Sequence, residues 1–159
     1  MYVCMYIYVP RSFTVCLMLY IWQSARQVLK ISITRFSKMS QILDIADVDI
    51  DPNGDFKYIL IQVKEKGKND FSRTIVRGYA GCDYHADIFK MVEAELEKVS
   101  SNLKAICRGG GRIQHDASDK KMKVYGYSEA YGKANHKMAL GILKKRYPDY
   151  KITWSYESF

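Results

Sequence analysis

The sequence predicts a single α+β domain that begins near Met39. Three observations support this class: segments rich in β-branched and aromatic residues, two segments with apolar residues at helical spacing, and no repeat or linker between them. The 48% hydrophobic and 26% charged composition is that of a soluble globular protein. A domain of about this size buries roughly two-thirds of its unfolded surface, so it needs no metal or disulfide to fold. This excludes a stapled mini-protein, a repeat array and a polytopic membrane protein.

The first half of the domain is predicted to form two strands and a helix. Residues 56–64 and 72–79 are the strands, joined by a polar turn at 65–70. Residues 84–101 are the helix, with Asp83 as its N-cap. Its apolar stripe consists of Ile88, Met91, Val92, Leu96 and Val99.

The second half adds four strands and a second helix. Short strands are predicted at 103–107, 113–115, 121–127 and 152–154. The helix is predicted at 134–146 and ends before Pro148, with an apolar stripe of Met138, Ala139, Leu140 and Leu143. The order β-β-α-β-β-β-α-β gives one domain with about six strands and two main helices.

Residues 1–38 differ from the rest of the chain, with five basic residues and no acidic one. Their uninterrupted apolar stretch, 13–22, is too short to span a bilayer, which takes about 20 residues. We interpret 1–38 as a targeting segment, an anchor or a mistaken upstream start, and exclude them from the fold.

Residues 39–159 then carry 20 basic and 17 acidic residues, a balance that suits a small anionic ligand as well as a nucleic acid. Four cysteines without a repeated spacing predict free thiols in a reducing compartment.

Three near-matches to known motifs are rejected. Residues 49–54 match the first half of a calcium loop, but Leu60 stands where a bidentate glutamate is needed, so a turn leading into the first strand is predicted there. Between Cys107 and Arg112 there are four residues, one fewer than a cysteine-dependent phosphatase loop requires. Cys82 and His85 have half a zinc-site spacing, with no comparable second pair.

Three remaining features are suited to an anion. His85 and His136 stand at predicted helix starts, where unpaired N–H groups disfavour an imidazolium and keep the ring neutral. A predicted glycine-rich turn, 109–112, ends in an arginine whose fork matches phosphate oxygens. The loop 125–132, just before the second helix, contains Ser128 and N–H groups able to bind a phosphoryl oxygen.

Eight stretches of the body then occur in the order seen in one protein family. They are DVDID at 47–51, FKY at 56–58, IVRGY at 75–79, YHADI at 84–88, GGGRI at 109–113, VYGYS at 124–128, AYG at 130–132 and YPDY at 147–150. In these stretches the chain resembles the phosphohistidine phosphatase (Janus) family over about residues 43–156, with no counterpart for 1–38. The resemblance implies one mixed sheet flanked by helices, which agrees with the element order.

The resemblance also implies a role for particular residues. The catalytic base falls on His85, and the phosphate-binding lysine falls on Lys57. The phosphate loop falls on Ser128, Glu129 and Ala130. The two arginines that support the active site, and are expected to help bind the substrate, fall on Arg77 and Arg112. Because Glu129 would repel a phosphate dianion, we expect its side chain to point away from the substrate.

The resemblance implies a metal-independent protein phosphatase that hydrolyses phosphohistidine, with phospholysine as a second candidate substrate. We further expect the protein to be a monomer and cytoplasmic, a compartment that agrees with free thiols. Its expected partners are phosphohistidine-containing proteins, with no nucleic acid, no membrane for 39–159, no cofactor and no metal. The cytoplasmic location would become mitochondrial or membrane-associated if 1–38 are part of the mature protein. His85 is expected to act on water as a base or, alternatively, to attack and form a phosphoenzyme. A non-catalytic phosphoprotein- or nucleic-acid-binding module using the same basic groove is the alternative function.

Overall fold

The computed structural model describes residues 42–67 and 72–156, which lie within one compact unit, 41–159. The prediction for 1–38, and its boundary at Met39, lies outside the described residues. The strands are β1 (Val48–Ile50), β2 (Asn53–Glu65), β3 (Ser72–Tyr79), β4 (Leu103–Asp116), β5 (Lys121–Tyr125) and β6 (Lys151–Trp154). The helices are α1 (His85–Val99) and α2 (His136–Arg146).

These six strands form one mixed sheet in the order β1-β3-β2-β4-β5-β6. The outer pairs β1–β3 and β5–β6 are parallel, whereas the pairs among β3, β2, β4 and β5 are antiparallel. The α+β class and the mixed sheet are therefore confirmed. No helix in the described part of the chain is long and apolar enough to cross a bilayer.

Each face of the sheet carries one helix and one hydrophobic core. On one face, Ile88, Val92 and Leu96 of α1 pack on alternate residues of β2 such as Ile59 and Ile61. On the other face, Ala139 and Leu143 of α2 pack against the residues of opposite parity, Tyr58 among them. The helical stripes are only partly buried, since Met91, Val99 and Met138 are exposed.

The glycine segment is the main difference from the predicted elements. Residues 103–107 and 113–115 belong to one 14-residue strand, β4, and Gly109–Arg112 lie inside it instead of in a turn. The register shifts between Ile59 and Ile61 on the partner strand. Sequence patterns assign glycine to turns, but here the missing side chains make room for groups on both sides of the strand.

Three smaller predictions are also corrected. Asp49 lies in β1, so the turn before β2 is shorter than predicted. Strand β5 ends at Tyr125 and not at Tyr127. The N-cap of α1 is Tyr84 instead of Asp83, because the Asp87 carboxylate accepts a hydrogen bond from the Tyr84 N–H (3.2 Å) and thereby stabilises the helix start one residue later.

Candidate active site

The first residue of α1, His85, turns its ring inward onto the sheet. Its Nε2 lies 2.9 Å from the carbonyl oxygen of Gly111, and the residue is 9% exposed. A carbonyl oxygen only accepts hydrogen bonds, so Nε2 carries the hydrogen and donates it. The neutral ring therefore has its lone pair on Nδ1, which has no hydrogen-bond partner among the described residues.

Burial and two cations keep this ring neutral. Burial lowers the pKa of His85, and the charges of Lys57 and Arg112 lower it further, while the bond to Gly111 opposes them. Burial is the largest cause of the lowered pKa, and not the helix terminus that the sequence suggested. A neutral imidazole with a free Nδ1 is the form that accepts a proton.

Gly110 allows the His85 ring to pack close to the loop that contains Ser128. A Cβ at this position would lie 2.8 Å from His85 Cδ2 and 3.0 Å from Ser128 Cβ. The ring and the serine side chain therefore lie side by side over the same glycine. Any larger residue would separate them, so the glycine is needed for close packing and not for a turn.

The loop after β5 is closed by hydrogen bonds centred on Ser128. Its N–H and C=O pair with the C=O and N–H of Gly132 (3.2 and 2.8 Å), and its Oγ accepts from the Tyr131 N–H (3.2 Å). Within the described residues, no hydrogen bond uses the N–H groups of Glu129 and Ala130. Two adjacent backbone donors at the tip of a fixed loop can bind an anion. Both residues are exposed, and the direction of the Glu129 side chain stays a prediction.

Lys57 and Arg112 are direct cross-strand partners on β2 and β4, on the sheet face that carries α1. Both act electrostatically on His85, so the structure brings the predicted base and these two cations together.

Two neighbours of Arg112, Asp55 and Tyr125, were not identified from the sequence. Asp55 accepts hydrogen bonds from Arg112 Nε (3.0 Å) and from the Tyr125 hydroxyl (2.6 Å). The alternation of β2, which puts 55 and 57 on one face, is the sequence signal that would have identified Asp55.

Arg77 is not part of this arrangement. It is 0% exposed, and its guanidinium donates to the carbonyl oxygens of Ala46 (3.0 Å) and Val76 (3.1 Å) and to the carboxylate of Glu95 (3.4 Å). Those contacts link β3 to α1. The remaining donor, Nε, has no hydrogen-bond partner but is buried, so the guanidinium has no surface open to a ligand. The geometry thus favours a structural role for Arg77 and does not support the predicted substrate contact.

Comparison with known proteins identifies relatives of this chain. Residues 42–151 match the Janus/Ocnus family (Ocnus). The chain is 44% identical over 119 residues to the 14 kDa phosphohistidine phosphatase of Homo sapiens, covering 72% of this chain and 94% of that protein. The identity to the 14 kDa phosphohistidine phosphatase of Sus scrofa is 44% over 124 residues, 76% of this chain and 97% of the relative. The sex-regulated protein janus-A of Drosophila melanogaster is 42% identical over 135 residues, 84% of this chain and 97% of the relative.

This chain belongs to the Janus/Ocnus family. The match includes all the residues described at the site, from Ala46 to Gly132. It also includes the two other histidines of this Janus/Ocnus domain, which are internal.

His136 is a structural residue. It is 0% exposed, its Nε2 donates to the Gly126 carbonyl (2.8 Å), and its Nδ1 accepts from the Tyr58 hydroxyl (2.5 Å). Burial lowers its pKa, so the ring is neutral, and its bond to Gly126 anchors the start of the loop that contains Ser128. The sequence pattern, a histidine at a helix start, does not distinguish it from His85. What differs is that both ring nitrogens of His136 are bonded within the fold.

His115 is also buried, at 4% exposed, and donates from Nδ1 to the Asp51 carbonyl (2.7 Å) between the rings of Tyr147 and Tyr150. Of the cysteines, Cys107 is partly buried on β4, and burial raises the pKa of its thiol. A raised thiol pKa is unfavourable for a nucleophilic thiolate. Neither residue adds a reactive group to the site.

Proposed function

We propose that this Janus/Ocnus domain is a protein phosphatase that hydrolyses the P–N bond of phosphohistidine. The observation that carries the proposal is the His85 ring. It packs beside Ser128 over Gly110, feels the charges of Lys57 and Arg112, donates from Nε2, and has no hydrogen-bond partner at Nδ1 among the described residues. The names of the human and pig relatives support the same substrate.

Little chemistry is required of the protein. The P–N bond is labile once the substrate imidazole is protonated, so positioning the phosphoryl group and stabilising its oxygens supply most of the acceleration. Water attacks phosphorus on the side opposite the leaving nitrogen. His85 Nδ1 accepts the proton of that water as the new P–O bond forms. The P–N electron pair returns to the substrate nitrogen, so the substrate ring, already protonated at its other nitrogen, leaves as a neutral imidazole. His85 then releases the proton taken from water to the solvent.

The phosphoryl oxygens are bound by groups of two kinds. Lys57 and Arg112 supply positive charge, and the N–H groups of Glu129 and Ala130 supply directed hydrogen bonds. Ser128 holds the loop closed through its bonds to Tyr131 and Gly132. In this mechanism the lone pair of His85 activates water; direct attack by Nδ1 would instead leave a phosphoenzyme.

Four further properties belong to this proposal, of which the metal independence and the phospholysine substrate rest on the family resemblance. We propose that the domain acts as a monomer, in the cytoplasm, without a metal ion, and with phospholysine as a second substrate. Its partners are then phosphohistidine-containing proteins and not nucleic acids or membranes. Sedimentation of the purified chain and assays in excess EDTA test the monomer and the metal independence.

A release assay tests the proposed function. Phosphate release is measured from one peptide carrying phosphohistidine and from matched peptides carrying phosphoserine or phosphotyrosine. We expect release from the phosphohistidine peptide alone, at equal rates with and without EDTA. Binding of that peptide without release would favour the non-catalytic phosphoprotein-binding module. Binding of a nucleic acid that falls steeply between low and physiological salt would favour the nucleic-acid-binding alternative.

A further inference from the structure

Asp55 joins two other side chains of the site into one network. One carboxylate oxygen, Oδ1, accepts from Arg112 Nε (3.0 Å), and the other, Oδ2, accepts from the Tyr125 hydroxyl (2.6 Å). The Asp55 backbone carbonyl accepts from Arg112 Nη2 (3.2 Å). Asp55 is thus bonded through three of its oxygens.

The sheet register places these residues next to one another. Arg112 on β4 lies between Lys57 on β2 and Tyr125 on β5, and Asp55 precedes Lys57 by two residues on the same face. Bonds from both Nε and Nη2 of Arg112 to a single residue fix the plane of the guanidinium. A guanidinium held in one plane loses less entropy when it binds phosphate oxygens.

We propose that Asp55 is a positioning residue, which orients Arg112 for the substrate phosphate. The inference rests on the proposed function, because the phosphate is the ligand that Arg112 is oriented to bind. Asp55 itself does not touch the substrate. Tyr125, which is 6% exposed, in turn holds the carboxylate in place from β5.

The charge of Asp55 acts against its positioning effect. A carboxylate near a phosphate dianion repels it, but the side chains of Asp55 and Arg112 are 43% and 39% exposed, so water and salt screen that repulsion. The directed Arg112–phosphate bonds are short-range and are lost if the guanidinium rotates away. We therefore expect positioning to outweigh repulsion.

Two substitutions separate the effects. Asp55→Asn removes the charge but keeps an oxygen for Arg112 Nε and an amide that can donate to the Tyr125 oxygen. Asp55→Ala removes both the charge and the bonds. If the charge alone mattered, both variants would bind phosphate more tightly, and to the same extent.

The test measures the affinity for inorganic phosphate by NMR titration and the KM and kcat for a phosphohistidine peptide. We expect Asp55→Ala to weaken phosphate affinity and raise KM by roughly threefold to tenfold, with kcat nearly unchanged. Asp55→Asn should bind phosphate at least as well as the wild-type chain. In an Arg112→Ala background, Asp55→Ala should cause no further loss. Asp119→Ala, which removes an exposed carboxylate paired with Lys121 (2.5 Å), is the control and should change neither quantity.

An equal increase in phosphate affinity in the two Asp55 variants would overturn the inference. So would a loss of phosphate affinity on Asp55→Ala that persists in the Arg112→Ala background. A wild-type chain with no measurable phosphate affinity would also overturn it. The proposed function alone would be overturned if the wild-type chain bound phosphate and the variants followed the expected order of phosphate affinity, but the wild-type chain released no phosphate from phosphohistidine.

Discussion

His85 donates its Nε2 hydrogen to the carbonyl oxygen of Gly111 over 2.9 Å. This bond does more than hold the ring, because it decides which nitrogen has the lone pair. With Nε2 protonated, Nδ1 is the proton acceptor of the neutral ring. A backbone carbonyl in the middle of a strand therefore selects the chemically active atom of a side chain at the start of a helix.

Removal of the imidazole is the first test of this arrangement. We expect His85→Ala to lower the rate of phosphohistidine hydrolysis by about 10²–10⁴-fold, the usual contribution of a general base. The phosphate-binding groups remain, so the affinity for inorganic phosphate should change little. Phosphate release and phosphate titration are measured on the same preparation, with thermal unfolding to verify the fold. A folded variant with an unchanged rate would exclude His85 as the base.

The pH dependence tests the electrostatic environment of the ring. The pKa of His85 is lowered below its usual 6.5, so the ring is unprotonated at pH 7. We therefore expect kcat/KM to be at its plateau at pH 7 and to fall only as the pH drops through that lowered pKa. Lys57→Met removes a cation that disfavours the imidazolium, so the fall should move to higher pH. The position of the fall is independent of any loss of phosphate binding. Lys64→Met, on the same strand, is the control. If the pH at which kcat/KM falls moved equally in both variants, Lys57 would not be the cation that lowers the pKa of His85.

Gly110→Ala tests the packing between the base and the loop. The added methyl would meet His85 Cδ2 at 2.8 Å and the Tyr58 carbonyl oxygen at 2.9 Å, so the ring and the loop must separate. We expect a loss of about 1–3 kcal/mol in the free energy of unfolding and a larger proportional loss of activity. Gly141→Ala in α2 meets nothing within 4 Å and should stabilise the chain by about 0.5–1 kcal/mol, with unchanged activity. Chemical denaturation and the release assay measure both variants, and full activity in Gly110→Ala would refute the packing argument.

Tyr58→Phe tests the structural assignment of His136. The substitution leaves Nδ1 of a fully buried ring without its donor, at a cost of about 1–3 kcal/mol in the free energy of unfolding. Below its melting temperature the variant should keep most of its activity, because neither group touches the substrate. Tyr127→Phe, at a residue 53% exposed, is the matched control and should leave stability unchanged. A severe loss of kcat in folded Tyr58→Phe would instead give His136 a role in the reaction.

Local patterns of the sequence were enough for most of the fold. The run of β-branched residues in β2 and the apolar spacing of Ile88, Val92 and Leu96 are local properties that survive into the structure. Motifs whose order matches the Janus/Ocnus family predicted the region of the site. The roles assigned to His85, Lys57, Arg112 and residues 128–130 stay predictions until the variants are made, although the structure brings these residues together.

The tertiary structure decided what depends on contacts between distant residues. A glycine run usually predicts a turn. Gly110 instead lies within β4, where the lack of a side chain leaves space for His85 and Ser128. The same holds for Arg77, which the family resemblance placed at the site and whose burial against Glu95 only the structure shows. Two histidines at helix starts look alike in the sequence, and only the partners of their ring nitrogens separate an internal anchor from a proton acceptor. Local periodicity determines secondary structure because it reflects neighbours along the chain, whereas protonation and access depend on neighbours in space.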